Sequence, residues 1–401
     1  MRLPSQPDKR GTIIVSLISA PRTKTSMLEG LTSTGVLLWI LGWLFQRYVM
    51  PYIVRTDSFK KAVKVVDNGT DIVESDADFD WKKQPVTAYR PFKPIYHLTM
   101  GITKSKESEF LKIENTYLDV TQYKSQVAAE EPQETCLIAA EPQVSKKQVQ
   151  ATENAVEELY DYVVGFLLKK YQMHFVATGN TVTNLINNQE FPRYASKRDK
   201  KTVTHRDLLR IICGNVEEDF LIMQFDPEVQ EYQLRALTGV AANGFRNSEK
   251  FGKKLTDIHQ PVPQYMQRLQ ASMNRHFYRI KPHEFMQRLT WGIHVGTGMT
   301  ELYRPSGQHL KPDEKPPKVD AKTTDIANDV QVRVERQVLT KLEKSEFIVL
   351  NVHTFMYPLS EIKAEGNAAL LAKAIRAWPD DTAQYKGRPR WGDAVLAYLD
   401  N

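Results

Sequence analysis

A change of period constrains this chain more than any other feature. From Gln150 the apolar residues Val156, Leu159, Tyr160, Val163, Val164, Leu167, Leu168 and Tyr171 recur at three and four residues, the spacing of one face of an amphipathic helix. Beyond Asp219 the period falls to two. Residues 219–226 and 232–240 flank Pro227-Glu-Val-Gln-Glu and predict an antiparallel hairpin. In 285–295, Leu289, Trp291, Ile293 and Val295 point one way and Arg288, Thr290, Gly292 and His294 the other. In 331–339 the same alternation puts Val332, Val334 and Val338 on one face and Arg333, Glu335 and Gln337 on the other, before 342–346 turns the chain back into 347–357. Helices followed by grouped antiparallel strands predict an α+β fold.

Around this centre the chain divides unevenly. Residues 1–57 form an N-terminal segment whose core, 35–45, is uncharged and strongly apolar, and within 31–54 only Gln46 and Arg47 interrupt. A spanning helix needs about 20 apolar residues, so 31–54 is a candidate single-pass membrane anchor, with a cleaved leader or a buried helix as alternatives. Cations on both sides leave its orientation and the compartment open. Residues 58–90 are polar and mixed in charge, and read as a linker. Residues 91–210 are mainly helical, with 126–148 an exposed loop or short polar helix and 180–201 rich in turns. Residues 211–401 carry the sheet, a Pro- and Lys-rich surface excursion at 304–329, and two terminal helices at 362–378 and 385–399.

Composition removes several function classes. The 401 residues are 41% hydrophobic with six Trp, which excludes disorder throughout. A net charge of +6 is dilute, and no basic stripe is interleaved with aromatics, so nucleic-acid binding is not expected. Cys136 and Cys213 are the only cysteines, too few for a disulfide framework, a Cys-rich zinc site or a four-Cys iron–sulfur cluster.

Two patterns carry candidate chemistry. In 252–265, Pro261 and Pro263 fix their own φ angles and push Gln260 and Val262 out of the α region, which predicts extended backbone after His259 and a helix from Pro263 to Arg279. An imidazole aimed by a rigid corner suits a metal or haem iron, whereas the plainer role is a hydrogen bond to a turn carbonyl. His276 falls on the apolar side of the following helix. The row Arg333, Glu335, Gln337 is either a solvated strand face or, along a cavity, a carboxylate for a cationic group with a guanidinium to fix it.

Several stretches together resemble one family. They are Gly252-x-x-Leu255-x-x-Ile258-His259-x-Pro261-Val262-Pro263-x-Tyr265, Ser272-Met273-x-Arg275-x-Phe277, Arg333-Val-Glu335-Arg336-Gln337-x-Leu339, Tyr357-Pro358-Leu359, Tyr385-Lys386-Gly387 and Trp391-Gly392-Asp393. Glu157-Glu158-Leu159-Tyr160, Glu218-Asp219-Phe220 and Glu249-Lys250-x-Gly252 fit it too. In order, from about Pro91 to the C-terminus, they resemble the haem-dependent oxidative N-demethylase-like family. The resemblance implies a PAS-like antiparallel sheet with flanking helices that holds haem b through a histidine, and monooxygenase-type removal of a methyl group from small amines with dioxygen and two electrons, releasing formaldehyde. It makes His259 the iron ligand and Arg333, Glu335 and Arg336 the catalytic pocket, while His276, on the apolar side of the following helix, is the competing histidine that could also face the haem. The chain departs from the pattern at Leu289-Thr290 before Trp291, where an Asn is expected, and at Ala242-Asn243 before Gly244. With no Gly-rich dinucleotide fingerprint after a strand, electrons have to come from a separate reductase. The alternative is a membrane-tethered PAS-like haem or small-molecule sensor without turnover.

Overall fold

The computed structural model describes residues 78–299 and 317–401, all within one compact unit, Gly69–Asn401. Its architecture is α+β. Among the described residues ten strands form in chain order: β1 (Thr103–Ser105), β2 (Cys136–Ile138), β3 (Phe175–Thr178), β4 (Thr181–Asn184), β5 (Gln189–Pro192), β6 (Asp219–Asp226), β7 (Glu231–Thr238), β8 (Phe285–Val295), β9 (Val330–Lys341) and β10 (Ile348–Pro358). Seven of them make one antiparallel sheet in the order β1-β8-β9-β10-β6-β7-β2, while β3-β4-β5 make a small separate sheet.

Alternation decides what each face of the large sheet meets. One face presents Phe220, Ile222, Phe285, Val338 and Val349 to the Lys146–Lys170 helix, and Ile293, Val332, Val334, Phe355 and Tyr357 to the C-terminal helices. That long helix starts at a reciprocal cap, Gln148 N–H donating to Ser145 Oγ and Ser145 N–H to Gln148 Oε1, which satisfies two of its otherwise unpaired donors. The opposite face presents Met223, Leu234, Leu237, Leu339 and Ile348 to a layer holding Leu255, Tyr265, Leu269, Met273 and Phe277. Both faces are therefore covered, and the second carries Arg333, Glu335 and Gln337.

Several expectations change in detail. The interval after His259 does not run extended: Val262 N–H donates to the His259 carbonyl (2.8 Å) and Tyr265 N–H to that of Val262 (3.2 Å), so the prolines close a series of turns. The helix expected from Pro263 begins at Tyr265, behind Gln264 in the left-handed region (φ 58°), and is interrupted at Leu269 before Gln270–Arg279. The C-terminal region has four helices rather than two, Leu359–Ala364, Ala368–Arg376, Asp380–Tyr385 and Arg388–Asp400. Gly366, Pro379 and Gly387 separate them, both glycines at positive φ. Residues 126–148, read as an exposed loop or short polar helix, contain the end of the Tyr117–Glu130 helix and the short Pro132–Thr135 helix but also β2, and 180–201, read as turn-rich, contain most of the small sheet. Of the stretch read as a linker, the described part, 78–90, lies on the core: Phe79 and Trp81 pack with the first cluster, Val86 and Tyr89 with the second. Of the stretch 304–329, residues 304–316 lie outside the described residues, and 317–329 are turns and coil with Ile326 buried. The candidate anchor 31–54 lies outside the described residues, and among those described no helix is long and apolar enough to cross a membrane.

Candidate functional site

His259 is the C-cap of the short Leu255–Ile258 helix, and the residues before it explain why it stays there. Gly252 adopts φ +74°, which a Cβ would strain, and its N–H donates to the Leu234 carbonyl (3.0 Å) while Leu234 N–H donates to that of Lys253 (3.0 Å). This pins the segment to β7. Glu231, also on β7, accepts from Thr256 N–H (2.7 Å) and from the Thr256 hydroxyl, and Lys250 Nζ donates to the Ile258 carbonyl (2.6 Å) at the helix's negative end.

The ring itself is fixed on two sides. It stacks on Tyr265, centroids 4.7 Å apart and planes 12° from parallel, and Nδ1 lies 2.8 Å from the Leu255 carbonyl. A carbonyl only accepts, so Nδ1 carries the proton and the neutral ring keeps its lone pair on Nε2. Burial pushes the pKa down to about 4, with the cations Lys250 and Arg288 adding to the effect, so the ring is neutral at physiological pH. Among the described residues nothing hydrogen-bonds Nε2. A neutral imidazole with its far nitrogen tied to a carbonyl is the arrangement that presents a ligand to a metal.

His276, on the Gln270–Arg279 helix beside Met273 and Phe277, belongs to the same layer. Its Nε2 is buried without a hydrogen-bond partner, and burial holds its pKa down. Nothing in the structure fixes its tautomer as Leu255 does for His259.

On the sheet beneath this layer, strand register builds a polar row. Arg333, Glu335 and Gln337 of β9 share a face, with Gly292, Thr290 and Arg288 of β8 opposite them on one side and Met356, Thr354 and Val352 of β10 on the other. Arg333 is buried and fully engaged: Nε donates to Glu335 Oε1 (3.1 Å), Nη1 to the Met299 carbonyl (2.8 Å), and Nη2 to the Ala241 carbonyl and Thr354 Oγ1. Asp219 fixes the loop that supplies Ala241, accepting from Val240 N–H (3.0 Å) and Ala241 N–H (2.9 Å). Glu335 Oε2 accepts from Gln337 Nε2 (3.0 Å). The carboxylate is thus held from both sides yet keeps unused lone pairs.

The structure separates Arg336 from this group. Successive strand residues face opposite ways, so Arg336 points to the other face, where it donates to the Glu109 carbonyl. Its neighbours there form a buried polar network that the sequence did not suggest. His353 Nδ1 lies 3.1 Å from Glu218 Oε1, which also accepts from Lys112 N–H (2.8 Å). Glu217 accepts from the Thr116 hydroxyl (2.7 Å) and Glu114 N–H (3.2 Å). Burial pushes Glu217 up to about 7, while His353 is held above its ordinary value because the Glu218 and Glu217 charges outweigh burial.

Set beside known protein families, residues 101–396 match the one described as haem-dependent oxidative N-demethylase, alpha subunit-like. The chain belongs to this family. No curated protein matches it. Membership brings haem dependence at the level of the family, and the residues fit that group. A porphyrin iron asks the protein for one neutral nitrogen, which His259 offers, above a sheet face whose apolar part is Met286, Leu339 and Leu350. Among the described residues no three His, Cys, Asp or Glu side chains gather as a protein-built metal site.

Proposed function

We propose that this member of the N-demethylase-like family is itself a haem-dependent oxidative N-demethylase of small amines, with haem b bound on the second face of a PAS-like sheet. The observation that carries the reading is His259: a neutral ring, its proton held at Nδ1 by the Leu255 carbonyl, its Nε2 without a hydrogen-bond partner among the described residues. When bound, the haem supplies dioxygen activation and the oxidising power that removes the methyl group as formaldehyde. His259 holds the iron, with His276 a nearby nitrogen in the same layer. Glu335, oriented by Arg333 and Gln337, offers its remaining lone pairs to a protonated amine, and Arg333 anchors the strand to the loops at Ala241 and Met299. Arg336 then acts from the far face, as support for β9. Electrons come from a separate reductase, because no dinucleotide fingerprint accompanies the fold.

The test is spectroscopic and then chemical. Purified protein reconstituted with haem should give a Soret band that His259→Ala abolishes or shifts and His276→Ala leaves in place. With a surrogate reductase, dioxygen and a secondary amine, formaldehyde should be released. Stoichiometric haem with an unaltered spectrum in His259→Ala removes the ligand assignment. A Soret band without formaldehyde from any small amine leaves a haem-binding protein that is not this enzyme.

A further inference from the structure

Resting on the reading of this face as a haem site, we propose that Arg288 is the residue that holds a carboxylate of the bound porphyrin. Arg288 sits on β8 opposite Gln337, one pair along from Thr290 and Glu335, and its side chain therefore shares the face of the polar row. It is also the first residue of β8 beyond β1, which pairs only with Phe285, Met286 and Gln287. Among the described residues, β8 has no strand partner on that edge from Arg288 onward. Its Nε is buried and, among the described residues, makes no hydrogen bond, whereas every nitrogen of Arg333 on the same face is engaged. Glu335 is the acid whose charge Arg288 feels, yet among the described residues Arg288 makes no ion pair with it or with any other acid. The positive charge of Arg288 also reaches the His259 ring.

Charge balance points the same way. Arg288 and Arg333 stand against one carboxylate, Glu335, so the polar row carries one surplus positive charge in a half-buried position. A guanidinium that has lost part of its water without gaining an anion is costly, and remains protonated regardless. A porphyrin carboxylate would relieve that cost by accepting paired N–H donation from the guanidinium, with Met286 and Leu339 as the apolar residues of the same face available to the ring. It also frees Glu335 to be read by a cationic substrate rather than by Arg288.

The experiment titrates the full chain with two probes, iron protoporphyrin as the free diacid and as its dimethyl ester, following the Soret band. Wild type should prefer the diacid by about tenfold or more, the range of one charge-assisted contact. Arg288→Met should lose the preference by weakening the diacid alone, and Arg288→Lys should restore part of it. Equal preference in wild type and Arg288→Met overturns the proposal, as does a wild type that takes both porphyrins equally, a result that needs no variant to fold. Uptake of neither porphyrin by wild type overturns it together with the haem reading, whereas uptake without discrimination sinks the Arg288 role alone.

Discussion

At the scale of single residues, the site is a set of tautomers and pairings. The His259 pKa of about 4 lies below its ordinary 6.5, so between those values the unfolded chain binds a proton that the native ring refuses. Stability from this residue is present above 6.5 and is lost as pH falls towards 4. His259→Gln should therefore flatten the acid side of the apo-protein's melting temperature against pH, and an unchanged slope would show that the ring is not held neutral. Glu335→Gln keeps the size of the side chain while removing its charge. Amine affinity should fall about tenfold or more, with the haem spectrum preserved, because a charge-assisted contact is worth roughly 1.5–3 kcal/mol. Undiminished amine affinity would leave Glu335 as a partner of Arg333 only. The alternation that set Arg333 with Glu335 already implied that Arg336 faces away, whereas the position of Arg288 opposite Gln337 needed the strand pairing.

At the scale of elements, legibility followed length. β6 and β8 lie where their periodicity places them, and β9 and β10 extend only slightly beyond. β1 and β2 have three residues each and β3 to β5 four, too few for a period of two to rise above chance. The corner at His259 was legible as a stop to one helix and a delay of the next, but proline chemistry alone does not say that the interval closes in turns. What no pattern announced is the polar layer under the sheet, where Glu114, Glu217 and Glu218 come from loops around residues 114 and 217 and meet His353 of β10. Glu217 titrates near 7 when folded against an ordinary 4.5, so the native state holds a proton that the unfolded chain releases, and the wild type loses stability as pH rises through that window. His353, held above its ordinary value, adds a loss in the same direction above 6.5. Glu217→Gln mimics the protonated acid. Its melting temperature should gain on wild type between about pH 5 and pH 8, and a constant difference across that range would mean Glu217 does not titrate there.

At the scale of the whole molecule, the described residues carry three apolar clusters inside one unit, Gly69–Asn401, and the family match, 101–396, falls within it. The haem and amine sites proposed above both map to that unit. The segment before it has a different composition: 35–45 holds no charge and no polar side chain, and a run of this kind is stable in water only when covered or embedded. We propose that 31–54 tethers the chain to a membrane, which would hold the haem unit near a membrane-bound electron donor without entering its chemistry. The two roles then separate in one comparison. Full-length chain should sediment with membranes and need detergent for release, while chain lacking residues 1–55 should remain in the supernatant and give the same Soret band and haem stoichiometry. Equal solubility of both without detergent removes the tether. Loss of haem from the shortened chain, with its melting transition intact, would instead make the N-terminal segment part of the haem site, and the site would have to be redrawn to include it.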